Sequence, residues 1–211
     1  EGATTAVLNL GGIANLTLLH ADGSTIGFDC GPANALMDHW CQRHVGAAYD
    51  ASGAWAAGGT VDAELLAAML TEPYFAKPPP KSTGRDLFNA AWLDARLDAM
   101  HWRGEPRHMQ ATLTALTAQS VAAAIDTQAW DAVEVLVAGG GARNATLVRW
   151  LADAMPQRRV AGTGTLGVAS DHVEALAFAW LAREALAGRP GNLPAVTGAN
   201  GLRILGALYR R

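Results

Sequence analysis

The sequence predicts a three-layer α/β domain built on a mixed sheet, and three observations lead there. Three short apolar runs near the start are separated by glycine-containing turns, as in an antiparallel meander. A later apolar run, Glu134 to Ala138, passes through Gly139-Gly140-Gly141 into a helical pattern, as in a crossover unit. The 211 residues are 50% hydrophobic and 17% charged, the composition of an ordinary folded chain long enough to bury roughly 70% of its unfolded surface.

Each element has its own signal. The runs Ala6 to Leu10, Asn15 to Leu19 and Thr25 to Phe28 are divided by Gly11-Gly12 and by Asp22-Gly23. After Pro32 the period changes: Leu36, Met37, Trp40, Cys41 and His44 recur at three- and four-residue steps, as on one helix face. The stretch from about 46 to 107 is less regular, with a short helix at Leu65, Leu66, Met69 and Leu70 and then Pro78-Pro79-Pro80, which favours extended chain. This stretch reads as a partly helical insertion on the surface. From Met109 to Ile125 the apolar positions and the alanine content predict a long helix. Beyond the triple glycine come a helix with Leu147, Val148, Leu151 and Met155, a short strand near Arg159-Val160, and a last helix through Val173, Leu176, Ala177, Trp180 and Leu181. A meander followed by crossover units is the order expected of one layered domain.

The composition also excludes functions. A net charge of −3, from 16 basic and 19 acidic residues, gives no footprint for a nucleic-acid backbone or an anionic membrane surface. No apolar run approaches the ~20 residues that span a bilayer. Cys30 and Cys41, without a signal-peptide pattern, predict reduced thiols in a cytoplasmic protein. The histidines show no HExxH spacing, so no metal site is predicted from the sequence. The chain begins at Glu1, without methionine, and enters a strand almost at once, which predicts further sequence upstream.

Four segments could carry chemistry, each with a simpler alternative. Asn9-Leu10-Gly11-Gly12-Ile13-Ala14-Asn15 could bring backbone N–H groups to a phosphate, or merely make a tight turn. Asp29, at the end of an apolar strand before Pro32, could take a proton from water or substrate, or satisfy nearby amides as a turn carboxylate. Asp38, farther along the helix, reads as a surface carboxylate. Ala138 to Asn144 could present free amides to a nucleotide, although it has neither GxGxxG nor P-loop spacing, or could be a strand-to-helix turn. Ser170-Asp171-His172-Val173-Glu174 opens the last helix, with Asp171 as a dipole partner and Glu174 open to a ligand-orienting role. The loop Lys81 to Arg85 offers two cations and two hydroxyls to an anionic group, or simple solubility.

Taken together, these segments resemble a known family. The strings Asn9 to Asn15, Gly27-Phe28-Asp29-Cys30-Gly31-Pro32-Ala33-Asn34, Pro80 to Arg85, Gly139 to Asn144 and Pro190 to Ala199 occur in the order seen in the anhydro-N-acetylmuramic acid kinases, over essentially the whole chain. The resemblance implies a ribonuclease-H-like domain of the actin, hexokinase and Hsp70 group. It implies a kinase that uses ATP, with Mg²⁺ bridging the phosphates, to phosphorylate the 6-oxygen of 1,6-anhydro-N-acetylmuramic acid while water opens the anhydro ring. By position, Asp29 matches the catalytic base. Gly11, Gly12 and Asn15 match one phosphate loop, and Gly139, Gly140, Gly141 and Asn144 match the adenosine-side loop. Asn34 and Glu174 match substrate-binding positions. A homodimer is implied as well.

The family's upstream domain, with its Gly-Thr-Ser-x-Asp-Gly and Ser-His-Gly-Gln-Thr segments, has no counterpart here, so the expectation is a carboxy-terminal domain that is inactive alone. Two other readings compete: a non-catalytic ATPase-like binding or dimerisation domain, and a glycosidase pairing Asp29 with Asp38 or Glu174, which would need no ATP.

Overall fold

In a computed structural model, residues 3–209 are described, with the side chain of Asp171 outside the description. Three strands, β1 (Thr5–Leu10), β2 (Ile13–Leu19) and β3 (Thr25–Pro32), are followed by helix α1 (Asn34–Val45). Short helices α2 (Ala54–Ala57), α3 (Ala63–Leu70) and α4 (Ala90–Ala99) precede the long α5 (Pro106–Gln128). Then come β4 (Glu134–Ala138), α6 (Ala145–Ala154), β5 (Arg159–Gly162), α7 (Val173–Leu186) and α8 (Pro194–Thr197).

The five strands form one mixed sheet in the order β3-β2-β1-β4-β5. The first three are mutually antiparallel, whereas β4 runs parallel to β1 and β5 parallel to β4. These are the order and directions of the ribonuclease-H-like sheet, in agreement with the expectation. Alternation sorts the side chains. Ala6, Leu8 and Leu10 of β1, Leu16 and Leu18 of β2, and Val135 and Val137 of β4 enter one buried cluster with side chains of α1, α5 and α6. The opposite face is thinly covered, with Val196 of α8 lying over Gly27 of β3.

The central helix α5 is buried around much of its circumference, which its sequence permits because small Ala and Thr residues let neighbours approach. Its buried hydroxyls are satisfied by backbone carbonyls, two within the helix and one across to β3: Thr112 donates to His108 O at 2.7 Å, Thr114 to Gln110 O at 2.8 Å, and Thr117 to Pro32 O at 3.0 Å. Both cysteines are buried and free, and no helix among the described residues is long and apolar enough to cross a membrane.

Two expectations need correction. The stretch expected to lie on the surface sends Leu65, Met69, Tyr74, Phe88 and Leu93 into the core cluster. The expected short helix is present as α3, and the prolines and polar loops disguise a second, α4, each started by an N-cap side chain: Asp62 accepts from Leu65 N and Asn89 from Trp92 N. Conversely α7, expected to pack into the layered core, leaves Leu176, Phe178, Trp180 and Leu186 exposed. Its period is helical, as the spacing requires, but part of its apolar side meets the tail residues Ile204, Leu205 and Leu208 across a groove rather than the core cluster.

Candidate functional site

The hairpin between β1 and β2 fixes the geometry. Helix α1 has no side-chain cap. Instead, Ala33 N and Ala35 N donate to Gly12 O, and Asn34 N to Gly11 O, all at 3.0 Å. The glycine loop therefore satisfies the orphan amides that begin the helix. The Asn34 side chain tightens the junction, its Nδ2 donating to Leu10 O at 3.0 Å and to Gly11 O at 2.8 Å. Its amide thus holds the loop, and it also stands on the wall of the cavity described below.

Cross-strand register then lines up a polar row. Asp29 of β3 pairs with Asn15 of β2, Asn15 with Asn9 of β1, and Asn9 with Ala138 of β4, directly before the triple glycine. The row crosses three strand spacings, about 14 Å from Asp29 to Ala138. Asn9 belongs to it although the sequence reading gave it no role. Its signal is a polar residue at an outward position of an otherwise apolar strand.

Asp29 is partly exposed and held from three directions. Its Oδ1 accepts from Asn15 Nδ2 at 2.9 Å, and its Oδ2 accepts from Ser82 Oγ and from Thr83 N, each at 2.9 Å. A carboxylate has about four lone-pair sites, so with three hydrogen bonds in place one remains, on Oδ1. The backbone is tied too: Tyr74 Oη donates to Asp29 O at 2.8 Å and Asp29 N donates to Lys81 O at 3.2 Å. Burial and the Asp29 charge push the Tyr74 phenol up, which keeps it a donor at neutral pH. Asn15 thus serves Asp29, and Ser82 and Thr83, from a loop far away in sequence, complete the clamp.

The same loop divides its two cations. Lys81 Nζ donates to Phe75 O at 3.0 Å and Tyr74 O at 3.3 Å and lies 4.9 Å from the Tyr74 ring centre. Burial depresses its pKa. This cation is structural. The Arg85 guanidinium lies beside Gly12, where a Cβ would be 3.7 Å from its Nε.

Gly139 to Asn144 form the second half of the site. Gly139 has φ 78° and ψ 179°, a backbone state essentially confined to glycine. A Cβ there would lie 2.9 Å from Leu10 O and closer still to Asn9 Oδ1. At Gly141 a Cβ would lie 2.6 Å from Leu10 Cβ and 3.3 Å from Asn34 Nδ2, so this loop rests on the first one. Gly140 faces open space. Asn144 caps α6, its Oδ1 accepting from Leu147 N at 2.9 Å.

Gly140, Asn144 and Asn34 line a cavity of about 260 Å³ together with Tyr49, Ser52 and Gln110. Asp38 lies on its wall as well, where burial pushes the carboxyl up to about 6 against the opposing pull of Arg85. The structure therefore joins Asp29 to the cavity through the polar row and the two glycine loops, without placing it in the cavity wall. Glu174 stands exposed in the first turn of α7, outside that wall, and the Asp171 side chain lies outside the described residues.

Comparison with known proteins shows the family. The family model for anhydro-N-acetylmuramic acid kinase matches residues 1–211. Curated proteins of that name from Paraburkholderia xenovorans and Burkholderia lata are 55% and 57% identical over 216 and 215 residues, covering 100% of this chain and 57% and 56% of theirs. One from Chromobacterium violaceum is 52% identical over 205 residues, covering 97% of this chain and 56% of its own. The chain spans a little over half the length of these relatives.

Proposed function

Because the chain belongs to the anhydro-N-acetylmuramic acid kinase family, we propose that it carries the base and part of the nucleotide site of a sugar kinase. The reaction is the ATP-dependent conversion of 1,6-anhydro-N-acetylmuramic acid and water to N-acetylmuramic acid 6-phosphate, a step in the recycling of peptidoglycan in the cytoplasm. The observation that carries this reading is the clamped Asp29 at one end of a polar row whose other end is the triple-glycine loop.

In this reading Asp29 accepts, on the remaining lone pair of Oδ1, a proton from the water that attacks the anomeric carbon. The bond from that carbon to the bridging oxygen breaks, and the oxygen left on carbon 6 attacks the γ-phosphorus of ATP, whose bond to the β–γ bridging oxygen breaks so that ADP leaves. Asn15 and Ser82 keep the carboxylate aimed. Asn9 stands midway along the row, between the base and the nucleotide loop. Gly140 allows the nucleotide to approach without meeting a side chain, and Gly11 and Gly12 shape the phosphate side together with Arg85. Glu174 borders the sugar, and Asn34, which lines the cavity with Gly140, serves the sugar only through the loop it pins.

Mg²⁺ would neutralise the phosphates. The described residues hold no cluster of three or more metal-ligating side chains, and no step above depends on a metal. The amino-terminal portion that the relatives carry would supply the remaining ATP and sugar contacts, so residues 1–211 alone are inactive in this account. The intact protein is a homodimer.

The test is to supply the intact protein with ATP and the anhydro sugar in heavy-oxygen water. One ADP and one sugar 6-phosphate should form per cycle, with solvent oxygen at the anomeric carbon. Ring opening without ATP would favour the glycosidase reading, and no turnover would favour a binding module.

A further inference from the structure

Buried polar side chains on α5 almost all find a partner within the protein, and one does not. Gln110, fully buried in the second turn of α5, has neither its Oε1 nor its Nε2 hydrogen-bonded. Its neighbours Thr112 and Thr114 are satisfied by backbone carbonyls one turn back. An amide with no partner in a protein interior calls for a physical explanation, and a ligand or water that completes it is one.

Gln110 lines the cavity that begins at Gly140. Two other polar side chains of this wall are already engaged. Asp50 accepts from Trp55 N and Ala56 N, each at 2.9 Å, and Asn144 caps α6. In the same turn as Asp50, Ser52 is held at φ 56°, a left-handed conformation uncommon outside glycine, and Tyr49 is 65% exposed at the rim. At about 260 Å³ the cavity lies just below the ~300–1,000 Å³ of whole-ligand sites. It suits one flat ring system, with the rest of the ligand leading out past Gly140.

We propose that Gln110 reads the base of the bound nucleotide, its Oε1 accepting from the exocyclic amino group of adenine and its Nε2 donating to the adjacent ring nitrogen, with Tyr49 against the face of the ring. A carboxamide matches that donor–acceptor edge in a bidentate pair, and a tyrosine ring at a rim offers a flat surface to a base. The proposal rests on the kinase reading and deepens it by assigning base selectivity to residues outside both glycine loops.

The experiment measures, in the intact protein, the dissociation constants of ADP, of purine riboside 5′-diphosphate, which lacks only the exocyclic amino group, and of pyrophosphate. The wild-type protein should prefer ADP to the purine analogue by about 10-fold, the scale of one lost contact in a bidentate pair. Gln110→Leu should bind the two nucleotides equally, weaken ADP by about 10- to 100-fold, leave pyrophosphate unchanged, and melt no lower than wild type. Tyr49→Ala should weaken both nucleotides alike. If Gln110→Leu does not fold, Gln110→Glu, which keeps acceptors and loses both donors, takes its place. Unaltered ADP preference in the variant, equal loss of all three ligands, or failure of both variants to fold would overturn the assignment of Gln110. A wild-type protein that binds pyrophosphate but no nucleotide would do so too, and one that binds none of the three would sink the kinase reading itself.

Discussion

The triple glycine admits two readings from sequence, a tight turn or a place for a ligand, and the structure divides them between adjacent residues. At Gly139 alanine would have to adopt φ 78° and ψ 179°, at about 1–3 kcal/mol. It would also press its methyl against Leu10 O and Asn9 Oδ1, an overpacking worth about 1–3 kcal/mol more. Gly139→Ala should therefore destabilise by about 2–6 kcal/mol, which at about 2–4 °C per kcal/mol for a chain of this size lowers the melting temperature by about 4–24 °C. At Gly140 φ is not positive and a Cβ would meet nothing within 4 Å. Gly140→Ala should melt at or slightly above wild type, since alanine narrows the unfolded ensemble, while its methyl intrudes on the cavity and weakens ADP binding about 10-fold. Calorimetric melting with and without ADP reads both effects. Equal melting losses at the two positions, or a Gly139→Ala protein melting within about 2 °C of wild type, would refute the division.

Other predictions address the clamp and its surroundings. Ser82→Ala removes one of three hydrogen bonds to Asp29 and should lower kcat about 10-fold with KM and melting temperature nearly unchanged, because the bond is exposed and the loss is one of aim; an unaltered kcat would exclude Ser82 from positioning. Asp38 titrates near about 6 in the folded chain against an ordinary 3.8, so the folded state holds the extra proton and stability falls as pH rises through that window. Asp38→Asn should then be more stable than wild type by about 1 kcal/mol at pH 7, after allowance for partial solvent access, with no difference below about pH 4, as urea titrations at the two pH values would show. Lys81→Met breaks two hydrogen bonds to carbonyls and should cost about 2 kcal/mol of stability without altering the KM for ATP; a selective rise in that KM would place Lys81 at the nucleotide.

How much of this was legible in the sequence depended on the range of the interaction. The meander, α1, α5 and β4 were readable because alternation and three- to four-residue periodicity follow from local backbone geometry. Asp29 was readable as a polar residue closing an apolar strand. Helix α3 was readable from Leu65, Leu66, Met69 and Leu70, whereas α4 was hidden, since a few apolar residues among charged ones carry little periodic signal, although Asn89 marked its start. The clamp was not legible at all: Ser82 and Thr83 reach Asp29 across more than fifty residues, a pairing that no spacing encodes. Gln110 was equally silent, because an unpartnered amide is a property of its neighbours. The exposed apolar side of α7 reverses the pattern, as its helical period was plain while none of its side chains joins the core cluster.

The account depends on Asp29 as the proton acceptor, and the most direct measurement is turnover of the intact protein with Asp29→Asn, which keeps the side-chain volume and removes the charge. ADP release and opening of the anhydro ring should fall together by about 10²–10⁴-fold, while binding of ADP and of the anhydro sugar persists. Retention of more than about a tenth of wild-type turnover would contradict it, since general-base catalysis is worth at least about 10²-fold.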